Sequence, residues 1–140
     1  MTINNIKAKS LITIVIVVAF VALLLRIIIA NFIVFSITQN ESSAQTTLKL
    51  ISTALENYSK DNQGAFPASL SSLSTTKPAY LDEYYVNQAV IKGYNFSCPR
   101  LESTSYVCLA ATLKCGITGK NNYSITTGGS LISEECSKRE

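Results

Sequence analysis

With 140 residues the chain has room for one globular domain, and because residues 11 to 37 are too apolar to join it, about 100 residues remain for a single modest core. Formal net charge is +3, but three of the twelve Lys and Arg (Lys7, Lys9 and Arg26) lie in or before the apolar run, leaving nine basic residues against nine Asp and Glu elsewhere. A neutral remainder excludes the basic surface that nucleic acid requires, and the lack of any histidine weighs against acid–base catalysis, so no nucleic-acid partner, enzymatic activity or cofactor is expected.

Residues 1–8 read as a basic leader, residues 9–37 as the transmembrane half of a helix, and residues 38–140 as an exported globular domain. From Leu11 to Ile37 nearly every residue is apolar, and about 20 such residues in a helix cross a hydrocarbon core. Lys7 and Lys9 precede the run and no basic residue follows it until Lys49, so the positive-inside bias puts the N-terminus in the cytoplasm. A cleaved secretory signal would use residues 11 to 25 as its apolar region. Against that, no small-x-small cleavage site follows, and the run continues well beyond residue 25.

Arg26 interrupts the run, where a charge costs several kcal/mol unless it reaches an interface or is paired. Two readings stand: the side chain snorkels to the outer interface, about 22 Å along the helix from Leu11, or it pairs with a partner subunit inside the membrane.

Beyond Ile37 the apolar residues Ala44, Leu48, Ile51, Leu55 and Tyr58 recur at four- and three-residue steps, with Gln45, Lys49, Ser52, Glu56 and Ser59 expected on the opposite face. Gly64 and Pro67 are stop signals, so one helix is expected from about Leu11 to about Asp61, on the order of 75 Å long.

Ala68 to Leu73 reads as a short helix with Leu70 and Leu73 inward, and Lys77-Pro78 as a loop; Tyr80 to Ile91 is ambiguous between a short helix and irregular structure. Strand patterns follow at Gly93 to Cys98, Ser105 to Ala111, Asn122 to Thr126 and Ser130 to Ser133, with Thr127-Gly128-Gly129 as a hairpin turn. An antiparallel sheet of three or four strands covering the apolar stripe of the long helix makes an α+β domain.

Lys7-Ala8-Lys9-Ser10-Leu11-Ile12-Thr13 looks like the prepilin peptidase motif Lys-Gly-Phe-Thr-Leu-Ile-Glu, and in the same register Asn31 and Asn40-Glu41-Ser42-Ser43-Ala44 fall where related proteins carry similar residues. Leu48 to Tyr58, Phe66-Pro67-Ala68-Ser69-Leu70, Leu81-Asp82, Lys92 to Phe96, Gly116 to Lys120 and Gly129 to Ile132 add further blocks. Together these resemble the type IV pilin-like proteins, and among them the major pseudopilin of type II secretion, almost end to end. The resemblance implies a structural subunit of a pilus-like or pseudopilus filament that assembles through its N-terminal helix. Leu11, Ile12, Thr13 and Arg26 would be its assembly residues, with cleavage between Ala8 and Lys9.

It also implies partners: copies of itself, related pilins or pseudopilins, the membrane, a prepilin peptidase and an inner-membrane assembly platform. The implied location is the bacterial inner membrane, single-pass, with the C-terminal domain in the periplasm or on an extracellular filament.

The chain departs from the family at three places. Lys9 stands where the processed subunit normally begins with a methylated aromatic residue, and Thr13 stands where a glutamate offsets the N-terminal amine of a neighbour. Ala30 replaces a kinking proline, which favours a straighter helix. A minor or tip subunit therefore competes with a major one. A different class of function also remains open, a non-polymerising anchored module that binds through its sheet edge or through the loops around Tyr80, Tyr84 and Tyr85.

The family's calcium site is not expected here, because no Asp or Glu lies between Cys108 and Ser133 to supply a six- to eight-oxygen cage. The four cysteines lack zinc-site spacing and read as disulfides, with three connectivities available. Cys98 with Cys108, flanking one hairpin, and Cys115 with Cys136, tying the last strand to the preceding loop, is the preferred pairing.

Overall fold

A computed structural model describes residues 3–137, with side chains from Leu11 onward. The fold is α+β: one long N-terminal helix packed on a five-stranded antiparallel sheet, consistent with the pilin-like arrangement expected. Helix α1 runs Ile3–Asp61, starting earlier than the apolar run because nothing between Ile3 and Leu11 breaks a helix. The chain divides into two compact units, one ending at Phe35 and one from Ser36 onward.

In the second unit α1 supplies the central stripe of the core, with Ala44, Leu48, Ile51, Ala54 and Leu55 all buried. The buried face is wider than the apolar spacing indicates. Thr47, Ser52 and Ser59 are buried too, so Ser52 and Ser59 do not lie on the solvent face expected for them. Small hydroxyl side chains fit close to the sheet, and the Ser52 hydroxyl has a partner there.

Gln63 (φ 57°) and Gly64 (φ 88°) turn the chain left-handed just past α1, and Gly64 N–H donates to the Ser59 carbonyl at 2.8 Å. That is the C-terminal stop in which an αL residue satisfies a terminal carbonyl.

Helix α2 (Ser71–Thr75) begins later than the expected Ala68. The Ser69 hydroxyl engages those of Ser71 and Ser72 instead of joining a helical turn, and Leu73 alone is buried in α2. The ambiguous stretch resolves into helix α3 (Glu83–Asn87) and strand β1 (Val90–Ile91). Asp82 caps α3, its Oδ1 accepting the Tyr84 N–H at 2.8 Å.

Strands β2 (Tyr94–Leu101), β3 (Tyr106–Thr112), β4 (Asn121–Thr126) and β5 (Ser130–Glu135) complete the sheet in the order β1-β2-β3-β4-β5. Inward residues alternate, with Tyr106, Cys108 and Ala110 buried on β3 and Tyr123 and Ile125 on β4. The ladder between β2 and β3 shifts register between Ser97 and Arg100, so that Cys98 and Pro99 form a bulge. Pro99, which cannot donate to a ladder, sits in that irregularity.

The disulfides are Cys98–Cys108, across β2 and β3, and Cys115–Cys136, which ties the β3–β4 loop to the residue after β5. No cysteine is free.

Candidate functional site

From Leu11 to Phe35 every residue of α1 is exposed, and the most apolar window of the helix has a mean hydropathy of 3.1. The helix is therefore long and apolar enough to cross a membrane. Residues in this run are apolar on all sides, not along one stripe, so no rotation of the helix hides them on a single partner face. Leu11 is 65% exposed and Phe32 68%, and a surface this apolar persists only against lipid or other helices.

Thr13, Arg26 and Asn31 are the polar residues of the run. At 100° per residue Thr13 and Asn31, eighteen positions apart, return to the same face, while Arg26 lies about 140° from it. The sequence-read assembly residues Leu11, Ile12, Thr13 and Arg26 are thus distributed around the helix and do not converge. The processing residues Ala8 and Lys9 have side chains outside the described residues.

In the second unit two carboxylates of α1 hold the sheet. Glu41 Oε1 accepts the backbone N–H of Lys120 at 2.7 Å and of Asn121 at 3.2 Å, and Asn121 Nδ2 at 3.4 Å. The preceding residue, Asn40, donates through its Nδ2 to the Thr118 carbonyl at 3.0 Å. These contacts fasten α1 to the loop entering β4, and Tyr94 Oη closes the same corner by donating to the Asn121 carbonyl at 2.8 Å.

Glu56 does the equivalent at the other end of β4. Its Oε1 accepts the Gly128 N–H at 2.8 Å and the Tyr106 hydroxyl at 3.0 Å, while Ser52 Oγ lies 2.7 Å from Tyr106 Oη. Burial raises the Tyr94 and Tyr106 phenols above their ordinary range, with the Glu41 and Glu56 carboxylates respectively adding to the effect.

Charge-assisted bonds of this kind, set at both ends of one strand, couple the helix to the sheet more firmly than apolar packing alone. The sequence placed Glu41 in a block of the resemblance and Glu56 on the polar face of the helix, without revealing that either bonds to the sheet. The available signal was that Glu41 and Glu56 are the only acidic residues before Asp61.

The tyrosines considered as a ligand grip are separated in role. Tyr80 packs edge-on against Tyr58 and donates to Asp61 Oδ2 at 2.6 Å, a bond that raises its own phenol pKa. Tyr84 is half-exposed and packs edge-on against Tyr85. Tyr85, Val86 and Phe96 line a cavity of about 120 Å³ against Leu48 and Ile51. Asn87, Gln88, Ser97 and the Cys98–Cys108 disulfide complete its lining, and its volume falls below that of the usual small-molecule site. Among the described residues no group of three or more His, Cys, Asp or Glu converges.

Comparison with protein-family models finds no match, and comparison with curated proteins finds none either.

Proposed function

We propose that the chain is a structural subunit of a type IV pilus-like or type II secretion pseudopilus filament, stored in the inner membrane by α1 and assembled through residues 11–35. The observation that carries this reading is one helix that is apolar on all its faces at its N-terminal end and forms the spine of a sheet domain at its other end. An anchor alone needs only a span. Here the same helix continues into the domain core, where Glu41 fastens it to the start of β4 and Glu56 to the β4–β5 turn and to β3, so a pull on the helix is delivered to the folded sheet.

Inside lipid the apolar residues gain nothing by touching each other through the hydrophobic effect, so storage as single subunits is tolerable and packing contacts govern association there. Drawn out of the bilayer, the same residues must be buried against neighbouring helices, and assembly then gains the hydrophobic term. The sheet domain would decorate the outside. Partners in this reading are copies of the chain, related subunits, a prepilin peptidase and a membrane assembly platform.

The deciding experiment is the intact mass of the membrane-extracted protein, expressed with and without a prepilin peptidase. Loss of residues 1–8 only when the peptidase is present is the expected result. An uncleaved chain in both cases overturns it in favour of a non-polymerising anchored module. That second reading draws its support from Lys9 and Thr13, which replace the aromatic residue and the glutamate of the resembled motif.

A further inference from the structure

We infer that Arg26 is the recognition point for a different polypeptide, a transmembrane helix carrying an Asp or Glu at the depth of Arg26, and that copies of this chain cannot substitute for it. The inference rests on the membrane-stored reading and specifies the partner of that same helix.

Arg26 is exposed on α1, and its guanidinium has no hydrogen-bond or ion-pair partner among the described residues. Nine apolar or amide residues separate it from the end of the run at Phe35, about 13 Å of helix, and fifteen separate it from Leu11, about 22 Å. The nearer interface therefore lies toward the C-terminal end. Side chains leave an α-helix tilted toward its N-terminus, so the guanidinium of Arg26 starts out directed away from that nearer interface and toward the middle of the span. Snorkelling must work against this direction on the short side and cross too great a distance on the long side. Pairing with an opposite charge is the remaining way to offset an intramembrane cation.

The chain supplies no such charge from its own copies. Residues 1–40 contain no Asp or Glu, and the cations Lys7, Lys9 and Arg26 are the only charged groups there. The first carboxylate, Glu41, already accepts the Lys120 and Asn121 backbone N–H groups. Bundling identical helices would gather arginines at one depth with nothing to neutralise them, and the repulsion would be strong in hydrocarbon. A foreign carboxylate at the same depth turns that penalty into a bidentate, charge-assisted bond and also sets the axial register of the two helices.

The test reconstitutes the full chain, fluorescently labelled, in phosphatidylcholine vesicles with a synthetic transmembrane probe. The probe is an apolar helix bearing a single glutamate at the matched depth, and its controls bear glutamine or leucine there. Energy transfer should report association with the glutamate probe at least tenfold tighter than with the leucine probe, with glutamine far behind glutamate. Arg26→Leu should abolish the preference, and Arg26→Glu should transfer it to a lysine probe. Near-ultraviolet circular dichroism of each variant checks that the sheet domain is intact.

Equal association of the three probes with the unaltered chain overturns the inference, as does a glutamate preference that survives Arg26→Leu. Self-association of the unaltered chain in the same vesicles as tight as its association with the glutamate probe also overturns it, while leaving the filament reading in place. Failure of leader cleavage, by contrast, removes the filament reading without touching the probe result.

Discussion

Ser52 and Tyr106 meet 2.7 Å apart in the interior, fifty-four positions apart in sequence, and join helix α1 to strand β3 through their hydroxyls. The Tyr106 hydroxyl donates to Glu56 Oε1 at 3.0 Å, which leaves its oxygen to accept from Ser52. Tyr106→Phe removes the centre of this chain and strands the buried Ser52 hydroxyl. The expected cost is about 1–3 kcal/mol. For a domain of this size each kcal/mol lowers Tm by about 4–8 °C, so thermal unfolding of the purified chain reads it directly. A Tyr106→Phe protein melting at the parental temperature would show that the network contributes nothing.

Alkaline pH acts on the same core. Burial raises the phenols of Tyr94 and Tyr106 above the ordinary value of 10.0, so the folded state holds their protons longer than the unfolded chain does. Once pH exceeds the unfolded value the unfolded state binds fewer protons, and stability falls as pH rises. The contribution is fully present below about pH 10 and lost above it. Denaturant midpoints should be flat from neutral pH to the onset of tyrosine ionisation and then decline, with a shallower decline in Tyr94→Phe. Because no cysteine is free, thiol exchange has no starting nucleophile within the native chain.

Gly119 is required for a packing reason, since a Cβ there would run into the phenol oxygen and ring of Tyr94. Tyr94 is fully buried and its hydroxyl is engaged by the Asn121 carbonyl, so the ring has nowhere to retreat. Gly119→Ala should therefore destabilise by about 1–3 kcal/mol, the usual range for overpacking. Gly64 offers the contrast: a Cβ there meets nothing within 4 Å, and only its left-handed φ of +88° opposes substitution. Gly64→Ala should cost about 1 kcal/mol. Parallel melting curves that rank the two variants the other way would refute the packing argument.

Local patterns made much of this fold legible. The three-and-four spacing from Ala44 to Tyr58 marks α1, and Thr127-Gly128-Gly129 marks the turn between β4 and β5. The disulfide pairing follows from which cysteines flank a hairpin. Features that depend on distant partners were not legible. Ser52 reads as solvent-facing because nothing local reveals a tyrosine hydroxyl arriving from β3. Strand β1 is two residues long, too short for a period to register. Glu41 and Glu56 carry helix-to-sheet bonds whose backbone donors have no sequence signature at all. The apolar run is the reverse case, plain in composition and exposed along its whole length.

The two units also differ in what holds them, and that difference is testable by removing one. Residues from Ser36 onward contain every buried aromatic side chain, both disulfides and the Glu41 and Glu56 bonds. Residues 11 to 35 contribute no buried residue to that core. Deleting residues 9 to 36 should therefore leave a soluble, disulfide-bonded monomer with the thermal stability of the full chain's sheet domain. Its disulfides, closing loops with sequence separations of 10 and 21, should each contribute about 3 kcal/mol, so reduction should lower its Tm by many degrees. Light scattering of the truncated protein gives the oligomeric state. Monomers place the association surface in the deleted helix, whereas oligomers that persist without it move that surface to the sheet domain and contradict the assembly mechanism proposed above.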